Sequence, residues 1–229
     1  MEGARAVLAA PSKILTSRLV PMKSAKFVCV FCSSSELIDE EYKTAAKKFG
    51  SAIAQAGWSL VYGGGNIGLM GVLAKAVHES GGKVIGVIPR AMLAIGLAYR
   101  QANELIVTET LRERKAAMEE RSNVFVALPG GIGTLEELLE IITLKQLGYH
   151  KKPIIILNTN GFFDPLLTQL ERCIAQRFAG PELRNLYFVA PSVEDALSYI
   201  SSIEPSDIDL TRQKPAKEPK QPEAMEAID

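Results

Sequence analysis

The sequence is poor in the residues that build disulfide bonds and metal sites. It contains 3 cysteines and 2 histidines among 229 residues. Three cysteines cannot all pair within one chain, which favours a reducing compartment. His78 and His150 lie in unrelated segments, so no zinc cluster is expected. Cys29 and Cys32 have C-x-x-C spacing, but in an extended segment they point to opposite faces, so we expect buried thiols.

The chain also lacks an excess of charge and a long apolar run. Lys+Arg and Asp+Glu both number 26, so there is no global basic field to attract nucleic acid or an anionic membrane. No run of 18 apolar residues appears, so no bilayer-spanning helix is expected. Neither a G-x-x-x-x-G-K-[ST] loop nor a G-x-S-x-G elbow is present. What remains is an ordinary globular composition, with 47% hydrophobic and 23% charged residues.

Composition divides the chain into three parts. Residues 1–25 contain four basic residues and one acid, which suits either an organellar transit peptide or a plain N-terminal extension. Residues 204–229 are rich in Pro, Lys, Glu and Asp, which predicts a disordered polar tail. Residues 26–203 form the expected folded domain. We expect a cytoplasmic protein, or an organellar one if residues 1–25 direct import.

Short apolar runs alternate with helical patterns along this domain. Residues 39–57 form an amphipathic pattern that ends at Gly57, and leucines repeat at helical spacing after Thr134. Near-continuous apolar runs are typical of strands covered on both faces. The alternation predicts an α/β fold, a doubly wound parallel sheet of about seven strands with helices on both faces. The predicted strands are 26–31, 58–62, 83–88, 104–107, 124–128, 153–157 and 186–189.

The strongest chemical motif is ALPGGIGTLEELLEII, residues 127–142. A buried strand runs into a proline, three glycines and the start of a helix. Glycines allow backbone N–H groups to approach an anion, and the first turn of a helix offers free N–H groups to phosphate. Thr134 adds a hydroxyl donor. The alternative is a capping box, in which Glu137 reaches back to the Thr134 N–H, or in which one of Glu136 and Glu137 caps while the other faces a ligand.

A second glycine motif, VYGGGNIGLMG, occupies residues 61–71. Gly63, Gly65 and Gly68 satisfy G-x-G-x-x-G, but the NAD pattern also needs an acid about 20 residues later. The next strand ends instead in VIPR, without one. The motif therefore favours a phosphate or ribose contact over a dinucleotide. A tight turn with close helix–sheet packing is the alternative.

Two cations and a run of serines complete the candidates. Arg114 and Lys115 lie on or beside the buried stripe of the predicted helix in residues 110–120. Inward-facing cations need a carboxylate or phosphate partner, unless they snorkel to water. Ser33, Ser34 and Ser35 follow the first strand, where hydroxyls bind a ligand or cap the next helix.

Together these segments resemble one family. PGGIGTLEE at 129–137 is similar to the P-G-G-x-G-T-x-x-E motif of the Lonely Guy family, the cytokinin riboside 5′-monophosphate phosphoribohydrolases. Further segments resemble that family in the same order, from about residue 26 to 203: VFCSSS, LVYGGGNIGLMG, GVIPR, RKAAM and ITLKQLGYHKKP. The resemblance implies a Rossmann-like fold, a homodimer, and hydrolysis of the N-glycosidic bond of N6-modified AMP to free base and ribose 5-phosphate. It implies no metal and no organic cofactor.

The resemblance also implies roles for individual residues. The catalytic positions fall on Arg114 and Glu137. The implied partner is a small nucleotide of the AMP or isopentenyl-AMP type. The expected substrate-binding residues are Ser34, Gly63, Gly64, Gly65, Arg114, Lys115, Gly130, Gly131, Ile132, Gly133, Thr134, Leu135, Glu136 and Thr143.

Three departures from the family pattern stand out. Ser33 occupies a common glycine position, and TLRERK replaces D-M-H-x-R-K. In an ungapped count, the glutamate of the M-P-x-E-I-x-G segment falls on Gly96. A contact carboxylate is therefore missing unless Glu104 or Glu109 reaches the site. We expect a mobile lid there, with weaker substrate binding or slower turnover.

Other functions remain open at this stage. The phosphate loops suit a nucleotide carrier or sensor without turnover, or a more general AMP nucleosidase. An NADP-linked oxidoreductase is the third alternative, suggested by G-x-G-x-x-G and Arg90. The missing second domain and the scarcity of acid–base residues count against it.

Overall fold

The computed structural model describes residues 26–203. The predictions for residues 1–25 and 204–229 lie outside the described residues. The domain is built on one parallel sheet of seven strands in the order β4-β3-β2-β1-β5-β6-β7. The strands are β1 (Phe27–Phe31), β2 (Ser59–Tyr62), β3 (Lys83–Pro89), β4 (Glu104–Thr108), β5 (Val124–Ala127), β6 (Ile154–Leu157) and β7 (Phe188–Ala190).

Helices connect the strands and cover both faces of the sheet. They are α1 (Glu40–Gln55), α2 (Gly68–Glu79), α3 (Arg90–Ala94), α4 (Leu111–Glu120), α5 (Ile132–Gln146), α6 (Asp164–Ala175) and α7 (Val193–Ser202). Two single 3-10 turns, Thr159–Gly161 and Pro181–Asn185, complete the connections. The predicted α/β fold is confirmed. Within residues 26–203, no helix is long and apolar enough to cross a bilayer.

The alternation of strand side chains divides the core into two layers. One layer packs β-strand residues against α1, α2 and α7, through side chains such as Phe49, Leu73 and Ile200. The other packs the opposite side of the sheet against helices that include α4 and α5, through Met118 and Leu138. Central strands are buried on both faces, which is why they read as continuous apolar runs.

Cys29 and Cys32 lie in different layers, as their spacing predicted. Both thiols are buried, and desolvation raises their pKa well above the ordinary range. A protonated, buried thiol is a poor nucleophile and a poor metal ligand. The two cysteines therefore belong to the core.

Strand order places the direction change of the sheet between β1 and β5. The connections run from β1 toward β4 on one side and from β5 toward β7 on the other. In doubly wound sheets the loops at the carboxyl ends of such strands separate and leave a crevice for a ligand. The serine run follows β1 and the PGGIGT segment follows β5, so both meet at this crevice.

Candidate active site

A cavity of about 470 Å³ opens at the carboxyl ends of the central strands. Its walls come from the loops after β1, β2, β3 and β5 and from one face of α4. The lining residues are Cys32, Ser33, Ser34, Ser35, Gly63, Gly65, Ile67, Met70, Ile88, Met92, Leu97, Leu111, Arg114, Gly131, Ile132, Gly133, Thr134 and Glu137. We call this space the switch-point cavity.

One wall of the switch-point cavity is the amino terminus of α5. Gly131 is the N-cap, and the Leu135 amide donates to the Gly131 carbonyl at 3.1 Å. The amides before Leu135 precede the first turn of helical hydrogen bonds and are available to an anion. A Cβ on Gly130 would overlap the Thr134 hydroxyl, so a glycine there lets Thr134 fold back on the loop. This wall has the geometry of a phosphate site.

The serine run lies against the same wall. The Ser33 amide donates to the Pro129 carbonyl at 3.3 Å, and the Ser35 amide donates to the Ser33 hydroxyl at 3.0 Å. Gly68, with φ of +59°, brings the start of α2 into contact with the backbone at Ser34 and Ser35. Three loops therefore converge on one end of the cavity, and all offer small polar groups.

Arg114 and Glu137 form an ion pair inside the cavity. Arg114 Nη1 lies 3.2 Å from Glu137 Oε1, and the two side chains are only 13% and 10% exposed. Arg114 Nε also donates to the Val87 carbonyl at 3.2 Å, which fixes the guanidinium. Burial raises the pKa of Glu137, while the charge of Arg114 lowers it in part. The pair is a buried carboxylate held by one cation at the edge of an open cavity.

The two structural alternatives for this pair are wrong. α5 begins at Ile132, two residues before Thr134, so Thr134 is not the N-cap and no side-chain cap is formed. Glu137 faces Arg114 and Glu136 faces Lys115, so neither acid closes a capping box. Arg114 points into the protein rather than snorkelling to water. The turn at Gly130 and Gly131 allows α5 to begin before Thr134, whereas the T-x-x-E spacing suggested that the helix begins after it.

The second glycine motif supports Arg114. A Cβ on Gly63 would overlap Arg114 Nη2, so the guanidinium lies directly on the Gly63 backbone. Gly64 has φ of +72° and packs against Ile88. Gly65 is bridged to Ala98. The motif is therefore a tight turn that makes room for the arginine, and Gly63 and Gly65 also line the cavity.

The structure brings most of the predicted site residues to the cavity wall. Those that line it are Ser34, Gly63, Gly65, Arg114, Gly131, Ile132, Gly133, Thr134 and Glu137. Those that do not are Gly64, Lys115, Gly130, Leu135, Glu136 and Thr143. Lys115 instead pairs with Glu136 and Glu140. The exposed Thr143 hydroxyl donates to the Leu139 carbonyl of its own helix at 2.7 Å.

Sequence reasoning missed the apolar wall of the cavity. Its members come from α2, the end of β3, α3 and the start of α4: Ile67, Met70, Ile88, Met92, Leu97 and Leu111. They are scattered over 45 residues of sequence, so no single motif marks them. Only the convergence of the connections after β2, β3 and β4 at one end of the sheet assembles them.

The lid after β3 is tied to the second glycine motif by its backbone. The Asn66 amide donates to the Leu97 carbonyl at 3.0 Å, and the Tyr99 amide donates to the Gly64 carbonyl at 2.8 Å. Gly96 has φ of +79°, and a Cβ there would meet nothing within 4 Å. Residues 90–103 contain neither aspartate nor glutamate, so this segment has no carboxylate of its own.

Neither glutamate that could replace the missing carboxylate reaches the cavity. Glu104 pairs with Arg121 on α4. Glu109 pairs with Arg90 at 2.6 Å. Glu137 is therefore the one acid on the cavity wall of the described residues.

Comparison with known proteins places the chain in a family. Residues 70–200 match the family described as possible lysine decarboxylase. A cytokinin riboside 5′-monophosphate phosphoribohydrolase of Arabidopsis thaliana is 39% identical over 206 residues, which are 89% of this chain and 90% of that protein. The chain belongs to the Lonely Guy family. A probable phosphoribohydrolase of the same name from Oryza sativa subsp. japonica is 41% identical over 187 residues, 82% of this chain and 76% of that protein.

Solved structures with the same architecture include proteins of another function. The Moco carrier protein from Chlamydomonas reinhardtii is 26% identical, with a TM-score of 0.59, over 77% of this chain and 96% of that protein. A molybdenum cofactor binding protein from Rippkaea orientalis is 24% identical, with a TM-score of 0.61, over 78% of this chain and 96% of that protein. The Lonely Guy fold thus also occurs in binding proteins.

The decarboxylase description of the family does not fit this cavity. Pyridoxal phosphate is held in enzymes as a Schiff base with a lysine. The switch-point cavity has no lysine on its wall within the described residues. Lys115 directly follows the cavity residue Arg114 in the sequence, but its ammonium pairs with two carboxylates on α5.

Proposed function

We propose that the switch-point cavity hydrolyses the N-glycosidic bond of cytokinin riboside 5′-monophosphates, releasing free base and ribose 5-phosphate. The observation that carries this is the buried Arg114–Glu137 pair facing the free amino terminus of α5 across one cavity. Relatives about 40% identical over most of the chain bear this activity in their names. The protein is then an N-glycosyl hydrolase.

The 5′-phosphate would bind at the amino terminus of α5. Free amides of the first turn and the positive end of the helix dipole favour an anion there. The Thr134 and Ser34 hydroxyls add donors on the same wall. Binding at this end would direct the sugar toward the Arg114–Glu137 pair and the base toward the apolar wall.

Glu137 would act on the sugar during bond cleavage. Breaking an N-glycosidic bond builds positive charge on the ribose ring, as in other oxocarbenium-like transition states. A carboxylate held in a buried site stabilises such charge more strongly than water would. Glu137 would also orient the water that adds to C1′. The charge of Arg114 lowers the pKa of Glu137 against the effect of burial, and the ion pair fixes the direction of the carboxylate.

The apolar wall would receive the adenine and its N6 substituent. Met70, Met92 and Leu97 present no hydrogen-bonding groups stronger than a thioether. A flat ring with an isoprenoid chain suits such a surface. A general AMP nucleosidase would instead need polar groups for the unmodified amino group.

A ribose 5-phosphate assay tests the proposed function. The protein is incubated with AMP, isopentenyl-AMP and isopentenyladenosine, and free base and ribose 5-phosphate are followed by chromatography. We expect isopentenyl-AMP to be cleaved fastest and the nucleoside without phosphate to be cleaved poorly. Equal rates with AMP would favour the general nucleosidase. No release from any of the three would exclude the hydrolase.

Binding without turnover is the second candidate. The likeness to the Moco carrier protein favours it, because a protein of the same fold is named there as a carrier. Calorimetry on the same nucleotides distinguishes the two. Tight binding of isopentenyl-AMP without release of ribose 5-phosphate would support a carrier.

We also propose a homodimer. Several large apolar side chains stand exposed on and beside α5, and exposed apolar area in one region marks an interaction surface. These are Ile132, Leu139, Leu147 and Tyr149. The surface continues from the cavity rim, so a second copy would pack close to the site.

A further inference from the structure

A second, smaller cavity lies behind Glu137. It has a volume of about 90 Å³ and sits between α4 and α5, over the rings of Phe31 and Phe125. Glu137 lines both this back cavity and the switch-point cavity. A space of this size holds a few water molecules, and its walls carry enough polar groups to bind them. Glu137 is therefore in contact with two spaces, the switch-point cavity proposed to bind the substrate and the back cavity with its charged side chains.

Lys115 is the cation of the back cavity. Its side chain is 17% exposed, and its ammonium lies 2.8 Å from Glu140 and also contacts Glu136. Glu136 and Glu140 are one turn apart on α5, and Glu137 follows the first of them. Partial burial lowers the pKa of Lys115, but the hydrogen bonds to the two carboxylates raise it on balance. The lysine stays charged and spans the first turns of α5 from α4.

We propose that Lys115 is a positioning residue that acts on Glu137 from the back cavity, and that it does not hold the substrate phosphate. The inference rests on the proposed hydrolysis for its effect on rate. The resemblance to the family implies a nucleotide contact for this position, but Lys115 lines the back cavity and not the switch-point cavity. Its ammonium contacts the carboxylates of Glu136 and Glu140 there.

The charged residues around Glu137 make this role testable, because removing different ones should shift the pKa of Glu137 in different directions. On α4 they are Arg112, Arg114, Lys115 and Glu119, and on α5 they are Glu136 and Glu140. The thiols of Cys29 in β1 and of Cys32 just after it interact electrostatically with Glu137, and because burial raises their pKa they remain neutral. Lys115 lowers the pKa of Glu137, whereas Glu136 and Glu140 raise it. Removing Lys115 and removing Glu140 must therefore shift the Glu137 titration in opposite directions.

The experiment compares Lys115→Met, Lys115→Arg and Glu140→Gln. If hydrolysis needs ionised Glu137, kcat/KM falls as the pH drops through the pKa of that residue. Lys115→Met should move this acid limb to higher pH by roughly one unit, and Glu140→Gln should move it to lower pH. Lys115→Arg keeps the charge and should restore the wild-type profile. The ionisation of the substrate phosphate is common to all variants and cancels in the comparison.

Two readouts do not depend on turnover. The carboxyl carbon of Glu137, assigned by its loss in Glu137→Gln, is titrated by NMR in each variant. Calorimetry then compares AMP with adenosine, and Lys115→Met should change both affinities by less than about threefold. If wild type releases no ribose 5-phosphate, the proposed function fails, while the NMR titration still decides the role of Lys115.

Three outcomes would overturn the inference. A loss of AMP affinity of tenfold or more in Lys115→Met, with adenosine unaffected, would make Lys115 a phosphate ligand. If the pKa of Glu137 shifts in the same direction in Lys115→Met and Glu140→Gln, the Lys115 ion pairs only hold α4 against α5. An unmoved Glu137 titration in both variants would remove any coupling through the back cavity.

Discussion

At the scale of single residues, the site depends on whether Glu137 carries charge or only shape. Glu137→Gln keeps the volume and removes the carboxylate. We expect activity to fall by about 100-fold or more, the scale seen when one electrostatic stabiliser is lost from a transition state. The measurement is kcat for isopentenyl-AMP at pH 7. Glu136→Gln is the matched control, because its half-exposed neighbouring carboxylate does not line the cavity.

Stability of the same variants separates a catalytic role from a structural one. In Glu137→Gln the melting temperature should change little, since the amide can still accept a hydrogen bond from Arg114. A variant that unfolds more easily yet keeps its turnover per folded molecule would show that Glu137 matters only for folding.

Gly63 and Gly131 both line the cavity, but we expect substitutions at the two positions to have different effects. A Cβ at Gly63 overlaps Arg114 Nη2, so Gly63→Ala should displace the guanidinium and reduce kcat at least tenfold. A Cβ at Gly131 meets no protein atom within 4 Å. Gly131→Val should therefore leave the free protein folded and obstruct only the phosphate, which calorimetry with AMP measures.

Equal affinity for AMP and adenosine in wild type would remove the phosphate-site argument altogether. Gly133→Ala adds a smaller side chain to the same wall, and its Cβ also meets no protein atom within 4 Å. If both variants bind AMP as wild type does, the phosphate does not approach this turn.

His150 sets a pH dependence of stability. Its Nε2 donates to the Ile141 carbonyl at 3.0 Å, and its buried Nδ1 has no hydrogen-bond partner within residues 26–203. Burial lowers its pKa to about 4 from 6.5. The unfolded chain therefore binds a proton between those values while the folded protein does not. Stability should be full above pH 6.5 and fall by up to about 3 kcal/mol as the pH drops to 4.

Urea unfolding between pH 7 and pH 4 measures this loss. Other groups add to the slope, so the comparison is with His150→Gln, in which the amide keeps a donor for the Ile141 carbonyl. The variant should show a shallower decline over this range. His78→Gln is the control, because His78 bonds the Tyr99 hydroxyl near the surface. Identical slopes in wild type and His150→Gln would contradict the assignment.

At the scale of elements, this chain departs from the family pattern in the lid, the segment between β3 and β4 that contains Gly96. The sequence suggests that Gly96→Glu would restore a missing carboxylate, but Gly96 has φ of +79°. Any L side chain there is strained by roughly 1–2 kcal/mol. We expect Gly96→Glu to lower stability by about that much without improving kcat/KM.

Gly96→Ala isolates the backbone effect of this change. It imposes the same strain without a carboxylate, so thermal unfolding should shift equally in the two variants. A kcat/KM for isopentenyl-AMP that is clearly higher in Gly96→Glu than in Gly96→Ala would show that a glutamate can still reach the substrate. The lid would then adopt a conformation different from the one described.

At the scale of the whole molecule, the exposed apolar side chains along α5 favour a second copy. Light scattering at micromolar concentration should give about twice the chain mass of 24.8 kDa. Leu147→Glu places a charge on the exposed apolar surface and should weaken the dimer. Leu37→Glu is the control, because Leu37 is fully exposed and belongs to the loop after β1 rather than to α5. A mass near that of one chain in wild type would rule out the dimer.

The sequence by itself determined the elements and the chemical types of the site. Short apolar runs between helical patterns predicted all seven strands, and the central strands are apolar at nearly every position because they are buried on both faces. Glycines followed by a helix start marked the amino terminus of α5 as a candidate phosphate site, since such a turn lets the backbone approach an anion closely. Arg114 and Lys115 were predicted on or beside the buried stripe of α4, where a cation needs a carboxylate or phosphate partner.

Tertiary structure alone decided which partner each charge has. The sequence left Glu137 between a cap and a catalytic carboxylate, and Arg114 and Lys115 side by side as equal candidates. Packing of α4 on α5 pairs Arg114 with Glu137 at the switch-point cavity and Lys115 with Glu140 at the back cavity. The apolar wall was likewise invisible, because its residues converge only where loops from different strands meet. Contacts between distant segments depend on the packing of the whole chain, and no local pattern records them.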